Sequence, residues 1–203
     1  MNKKDFTFFW HAPSPFSQWH PSLFTYKEIQ FISGEQFMMF SKAKLFGDDE
    51  VAGKILCYND SLLAKDFISG NIEAGGIIND KNNLKTWTNI QKKFKSLGKE
   101  VKNFNEEKWK EKRIPIVTVG NREKFLQNEK LMKALLNTGD TIICETNPFD
   151  KVWACGLRDT DPRTLAPEQW EGLNLLGQIL NNLRDKFRYD LINKDSLKRK
   201  SKP

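Results

Sequence analysis

The sequence predicts a helix-dominated α+β fold, a single domain with a small β-sheet, and three features of its 203 residues predict it. The length holds one full domain with a real core and is short for two. Hydrophobic residues at 38% beside charged residues at 29% describe a globular chain, not a disordered one. Long stretches with helical spacing outnumber a few short runs of strand character.

The elements follow in order. Phe6 to Trp10 and Phe24 to Phe31 alternate apolar and polar residues as short strands do, and the intervening "APSPFSQWHPS" is a turn-rich loop. "SGEQFMMFSKAKLFGD", from Ser33 to Asp48, opens with Ser33 and Gln36 spaced as a capping box and continues without proline, so it reads as a helix. Asp49 to Tyr58 and Asp60 to Ser69 read as two more short helices. "NIEAGGIINDKNN" has loop composition, and residues 71–93 read as an insertion. A helix follows around Thr88 to Leu97, and Asn105 caps the one bearing Trp109. "RIPIVTV" is strand-like, whereas "NREKFLQNEKLMKALLNTGD" forms one or two helices ending at Gly139. "TIICE" is the clearest strand, and it feeds a loop carrying Asp150 and Trp153. The last helix opens near Pro167 and carries Leu173, Leu176, Leu180, Leu183 and Phe187 as a core stripe, so the domain covers residues 1–189. A basic, disordered tail occupies residues 190–203.

The Ser33–Asp48 helix poses a chemical question. Its apolar residues spread around almost the whole circumference, which places it in the interior, yet it carries Glu35 and Lys42 on nearly one line. Two turns, about 10 Å, separate them, so they cannot comfortably pair. A buried charge costs several kcal/mol unless it is compensated, which calls for a polar guest. The alternative is an edge position, with Lys42 snorkelling to water and Glu35 in the favourable first turn.

Composition narrows the function classes. The apolar segment before Pro13 is too short for a signal peptide and no run is long enough to span a membrane, so the reading is cytoplasmic, without a membrane partner. Cys57, Cys144 and Cys155 form no CxxC pair and read as ordinary reduced thiols; His11 and His20 lack metal-ligand spacing, so no metal is expected. The net charge of +7 is uneven: Asp80–Lys102 contributes +5 and Asp185–Pro203 contributes +4, leaving −2 for the rest. Basic character thus looks appended to a near-neutral body. Contact with DNA or RNA through Lys81–Lys102 and the C-terminal tail is one reading, and a solvated surface is the other.

Four blocks, "SPFSQWHPSLF", "SGEQFMMFSKAKLFGD", "NREKFLQNEKLMKALLNTGD" with "TIICETNPFDKVWACGL", and "WEGLNLLG" ahead of "LR", together resemble the NADAR, or YbiA-like, domain over roughly Phe6 to Phe187. Residues 71–93 exceed what the compact family core needs, and the family's WGxG pattern is here Trp153-Ala154-Cys155-Gly156, one methyl larger.

The resemblance implies an N-glycosidase acting on ribosyl compounds. Two activities attach to the family: removal of ADP-ribose from guanine bases of nucleic acid, and cleavage of phosphorylated intermediates of riboflavin synthesis. It implies that Glu35 and Lys42 face a ribose-phosphate ligand. Cleaving a ribose–nitrogen bond needs a carboxylate near C1 and a donor near the leaving base. Glu35 and Asp150 are the candidate carboxylates, and Lys42 is a donor or, by attack at C1, a nucleophile. Trp109 and Trp153 are stacking surfaces or core, and Ser17, Trp19, Gly156 and Asn174 are binding residues through the match, Asn174 competing with a solvated mid-helix reading. No cofactor is expected. The leading substrate is ADP-ribosylated guanine in nucleic acid. The alternatives are the riboflavin intermediates and a non-catalytic ADP-ribose-binding module.

Overall fold

The computed structural model of the protein describes the backbone of residues 1–200 and the side chains of residues 1–193. In chain order the elements are β1 (Phe6–Phe9), β2 (Phe24–Tyr26), β3 (Ile29–Phe31), α1 (Gly34–Leu45), α2 (Asp49–Cys57), α3 (Leu62–Ile68), α4 (Ala74–Ile78), α5 (Lys81–Glu100), α6 (Glu106–Leu126), α7 (Glu129–Leu136), β4 (Ile142–Glu145) and α8 (Leu175–Lys200). Helices dominate, and the strands form two two-stranded pieces. The chain divides into two compact units, one of Met1–Trp10 with the chain from Met132 onward, the other of His11–Leu131.

In the His11–Leu131 unit, α1 packs against α2, α5 and α6, because it is apolar nearly all round: Phe37, Met38, Met39 and Ala43 are buried. Ser33 caps it, its Oγ accepting from Gln36 N at 3.2 Å, while Gln36 turns back to accept from Ile32 N at 2.9 Å, one residue earlier than a capping box would have it. Phe24 and Phe31 face each other across the antiparallel β2–β3 pair and pack on Phe37 with ring centres 5.9 and 5.1 Å away. The stretch expected as one strand is therefore a hairpin. Its two-residue turn puts Lys27 and Glu28 at φ of 48° and 66°, and the usual Asn-Gly signal for that geometry is missing.

The segment expected as a loop and insertion contains α4 and most of α5. Asp80 Oδ1 starts α5 by accepting from Asn82 N and Asn83 N, and Trp87, Ile90 and Phe94 are buried. Lys81, Lys85, Lys92, Lys93, Lys95 and Lys99 are exposed. The basic charge thus lies on the outer face of a core helix, not on an appendage. "RIPIVTV" is helical, inside α6. Val117, Gly120, Asn121, Lys124 and Phe125 are buried at spacings of three, one, three and one, a helical period that overrides the local β-branched preference. Pro115 is tolerated because its side of the helix, like Glu111 one turn earlier, is exposed.

In the other unit, β1 and β4 pair in parallel from Phe6↔Ile142 to Phe9↔Glu145, and α8 packs on β4. Leu176, Leu180, Leu183 and Phe187 are buried as expected, but Leu173 is 54% exposed and lies before the helix. Pro167 opens a short 3-10 turn, and α8 begins only at Leu175. The helix then continues to Lys200, past residue 190 where a disordered tail was expected; the remainder of that expectation, residues 201–203, lies outside the described residues. No described helix is long and apolar enough to cross a membrane.

Candidate active site

Glu35 is only 4% exposed, and its Oε2 accepts from the Trp19 indole Nε1 at 3.2 Å. The loop before it is fastened at several points. Glu35 N donates to Gln18 O at 2.9 Å, Trp19 N donates to Ser17 Oγ at 3.2 Å, and Trp87 Nε1 donates to Trp19 O at 2.7 Å. Ser17 and Trp19 are thus gathered at the first turn of α1. Two further residues there escaped sequence reasoning. Gln18 is 9% exposed, and its Nε2 has no hydrogen-bond partner among the described residues, leaving an amide donor beside the first turn of α1.

The other is Lys124 of α6. It is fully buried, donates from Nζ to Ser17 O at 2.8 Å, and has its pKa pushed down to about 7 by loss of water. It therefore bolts the loop that positions Trp19, and through Trp19 the Glu35 carboxylate. Burial, with Lys124 adding to it, also lowers His20 to about 4, so the ring that meets Ala12 O at 2.9 Å is neutral near pH 7. Within "NREKFLQ" a lysine reads as solvent-facing. The signal that could have found it is its place on the buried period of α6.

Lys42 is half-buried and neither snorkels free nor meets Glu35. Its Nζ donates to Gly98 O at 2.6 Å and lies 4.3 Å from the Phe104 ring centre and 5.7 Å from that of Trp109. Gly98 also makes room for α1, since a Cβ there would run into the Met39 sulfur. Burial lowers the Lys42 pKa, and the Glu106 carboxylate works against that shift. Trp109, read from the sequence as a stacking surface or as core, is buried with the amine above it.

The remaining candidates belong to the other unit. Asp150 Oδ1 accepts from Val152 N at 2.9 Å and Trp153 N at 2.8 Å, so one carboxylate oxygen builds the loop that presents half-buried Trp153. The extra methyl of Ala154 sits in the core, fully buried, and its carbonyl accepts from Asn174 N at 2.9 Å. Gly156 has φ +76°, and a Cβ there would press on Gly172 N at 3.0 Å, so the position is set by backbone packing. Asn174 is not mid-helix and not solvated. At φ 48° just before α8 it is 1% exposed, its Oδ1 accepting from Glu145 N at 3.1 Å and its Nδ2 donating to Ile143 O at 3.0 Å. Its side chain is spent on the edge of β4. Cys144 and Cys155 are buried near each other, the Cys144 thiol pushed up by its hydrogen bond with Cys155 and then by burial, while Cys57 is exposed. Among the described residues no group of three or more His, Cys, Asp or Glu could hold a metal ion.

These features accompany clear similarities to known proteins. The chain is 36% identical over 177 residues to N-glycosidase R617 of Acanthamoeba polyphaga mimivirus, covering 84% of this chain and 85% of that protein. It is 27% identical over 200 residues to protein irg-1 of Caenorhabditis elegans, covering 91% and 80%. The fold resembles the NMR structure of the E. coli protein YbiA at a TM-score of 0.61 and 15% identity, covering 95% of this chain and 90% of that one. The profile of the NADAR domain matches residues 8–188, and the chain belongs to the NADAR domain family.

Proposed function

We propose that the protein is an N-glycosidase that hydrolyses the bond from ribose C1 to a base nitrogen, with ADP-ribose on guanine in nucleic acid as its substrate. One observation carries the reading: a single interior helix holds a buried carboxylate steadied by an indole N–H and, two turns on, a partly desolvated amine over aromatic rings. The name of the mimivirus relative supports the reaction class. The exposed lysines of α5 support a polyanionic substrate.

In this reaction water adds to C1 while the C1–nitrogen electron pair leaves with the base, which takes up a proton. Glu35 stabilises the positive charge growing on the sugar and steers the water. Lys42, its proton loosened by burial, serves the leaving base. Ser17, Trp19 and Gln18 define the first turn of α1 against which the sugar lies. In the other unit, Asp150 holds the loop that carries Trp153, and Gly156 and Asn174 keep that loop seated on β4.

The test is to incubate the protein with an oligonucleotide carrying ADP-ribose on guanine and follow free ADP-ribose by mass spectrometry. Glu35→Gln and Lys42→Ala each lower release by about 10²–10⁴-fold, the range of general acid–base catalysis. Unchanged release in both variants sinks the assignment of the pair. Cleavage of a phosphorylated riboflavin intermediate in place of the oligonucleotide moves the substrate to the small molecule, and affinity for ADP-ribose without base release makes the protein a reader.

A further inference from the structure

Within the unit that contains β4, a cavity of about 490 Å³ is lined by Gly156, Leu157, Arg158, Asp161 and Arg163 among others. Its volume falls in the range of about 300–1,000 Å³ usual for small-ligand sites. The two arginines are in opposite states. Arg163 is neutralised: its NH1 meets Glu171 Oε1 at 3.0 Å and its NH2 meets Asp161 Oδ2 at 2.7 Å. Arg158 has no carboxylate partner among the described residues, and its guanidinium carbon lies 5.9 Å from the Trp10 ring centre and 5.8 Å from that of Phe149.

Phe149 is 80% exposed, so its ring gains almost nothing from folding. Its position is nevertheless braced, because Asn147 Oδ1 accepts from Phe149 N at 2.9 Å and Asp150 closes the following turn. An exposed ring on a braced backbone, beside a guanidinium that lines the cavity and has no carboxylate partner among the described residues, is the pairing with which proteins hold single-stranded nucleic acid: the cation takes phosphate and the ring takes a base.

We infer that Arg158, at the edge of this cavity, and Phe149 beside it bind a nucleotide of a single-stranded nucleic acid, the phosphate on Arg158 and the base stacked on Phe149. The inference deepens the nucleic-acid reading of the substrate and rests on it.

The experiment measures binding of an unmodified fluorescent oligothymidylate about eight nucleotides long by anisotropy across a salt series, for the full chain and its variants. Arg158→Ala weakens binding about fivefold or more and flattens the slope of log K against log salt by about 0.7, the loss of one phosphate contact. Phe149→Ala weakens binding by a similar factor at unchanged slope, and Phe149→Trp restores it. Both side chains are exposed, so unfolding midpoints measured alongside stay at the wild-type value. No binding by the wild type, or alanine variants within twofold of it at equal slope, overturns the site; binding carried by the α5 lysines would give the latter result. Release of guanine-linked ADP-ribose is scored separately. Binding that depends on Arg158 and Phe149 without any release removes the proposed reaction and leaves the site, whereas release with variant-insensitive binding does the reverse.

Discussion

Glu35 on α1 and Asp150 on the loop after β4 are the two carboxylates that the sequence singles out, and they stand in opposite kinds of support. Glu35 is buried and held from outside: the Trp19 indole donates to it, and Trp19 is held in turn through Ser17 and Trp87. Asp150 is half-buried and is itself the support, one oxygen taking two N–H groups of its own loop. A helix satisfies its own backbone and leaves the side chain for other work; a loop with no ladder partner spends side chains on its backbone. A carboxylate in the right motif is therefore available for chemistry only after its hydrogen bonds are counted.

The largest expected effect tests the helix side of the comparison at Lys124. Its folded pKa of about 7 lies below the ordinary 10.5, so between those values the unfolded chain binds the extra proton and wild-type stability rises with pH. Below about pH 7 both states are protonated and the full penalty of the buried charge is present. At about 1.4 kcal/mol per pH unit the difference amounts to several kcal/mol, against about 1–3 kcal/mol for leaving Ser17 O without its donor. Lys124→Met is thus expected to melt higher than wild type at pH 6 and to lose that advantage by pH 10, while turnover falls about tenfold as Trp19 loosens. Thermal unfolding at the two pH values, with turnover at pH 7, measures both. A variant whose stability keeps the wild-type pH dependence would mean that Lys124 titrates like an exposed lysine, and the external support of Glu35 would lose its anchor.

A smaller effect separates the two roles of Asp150. Asp150→Ala removes the acceptor of two N–H groups and costs about 0.5–2 kcal/mol, the scale of a lost helix cap. Asp150→Asn keeps the acceptor and is expected to recover both the stability and most of the turnover. If the asparagine variant folds like wild type yet is as inactive as the alanine variant, the carboxylate charge itself takes part in the reaction and the contrast with Glu35 collapses.

What the sequence made legible follows the same line. The cap at Ser33, the strand at Ile142–Glu145 and the stripe from Leu176 to Phe187 are local patterns with local causes, and each was readable in order. "RIPIVTV" misled because its β-branched run is local whereas the buried period from Val117 to Phe125 spans the next block. The hairpin hid because Lys27 and Glu28 adopt a turn that their residue types do not announce. At the site, Glu35 and Lys42 were legible as charges in a greasy helix. Lys124 and Gln18 were not, since Lys124 matters through Ser17, 107 residues away, and Gln18 through burial that only the folded chain imposes. Asn174 was legible as special but not as a clamp on β4, because that role depends on a left-handed backbone just outside a helix.

The smallest expected effect concerns the electrostatic surroundings of Lys42. Burial lowers its pKa and the exposed Glu106 carboxylate raises it, so Glu106→Gln leaves burial unopposed and the pKa falls further. If the neutral amine is the working form, the acidic limb of kcat/KM moves to lower pH by less than about one unit while the plateau stays where it is. A fall of the alkaline limb to lower pH, with the acidic limb unmoved, would show instead that the protonated amine is the working form and that Lys42 acts as the acid alone. Because Glu106 is exposed, its influence crosses solvent and is screened. At about 1 M salt, where the Debye length is about 3 Å, the wild-type and Glu106→Gln profiles should converge. Burial of Lys42 among Phe104, Trp109 and the Gly98 carbonyl is not screened by salt, so the lowered pKa common to both proteins persists there. Profiles that remain apart at high salt would place the effect of Glu106 in a direct contact with Lys42 or its ligand, and the amine would then be held, like Glu35, by a side chain from another element.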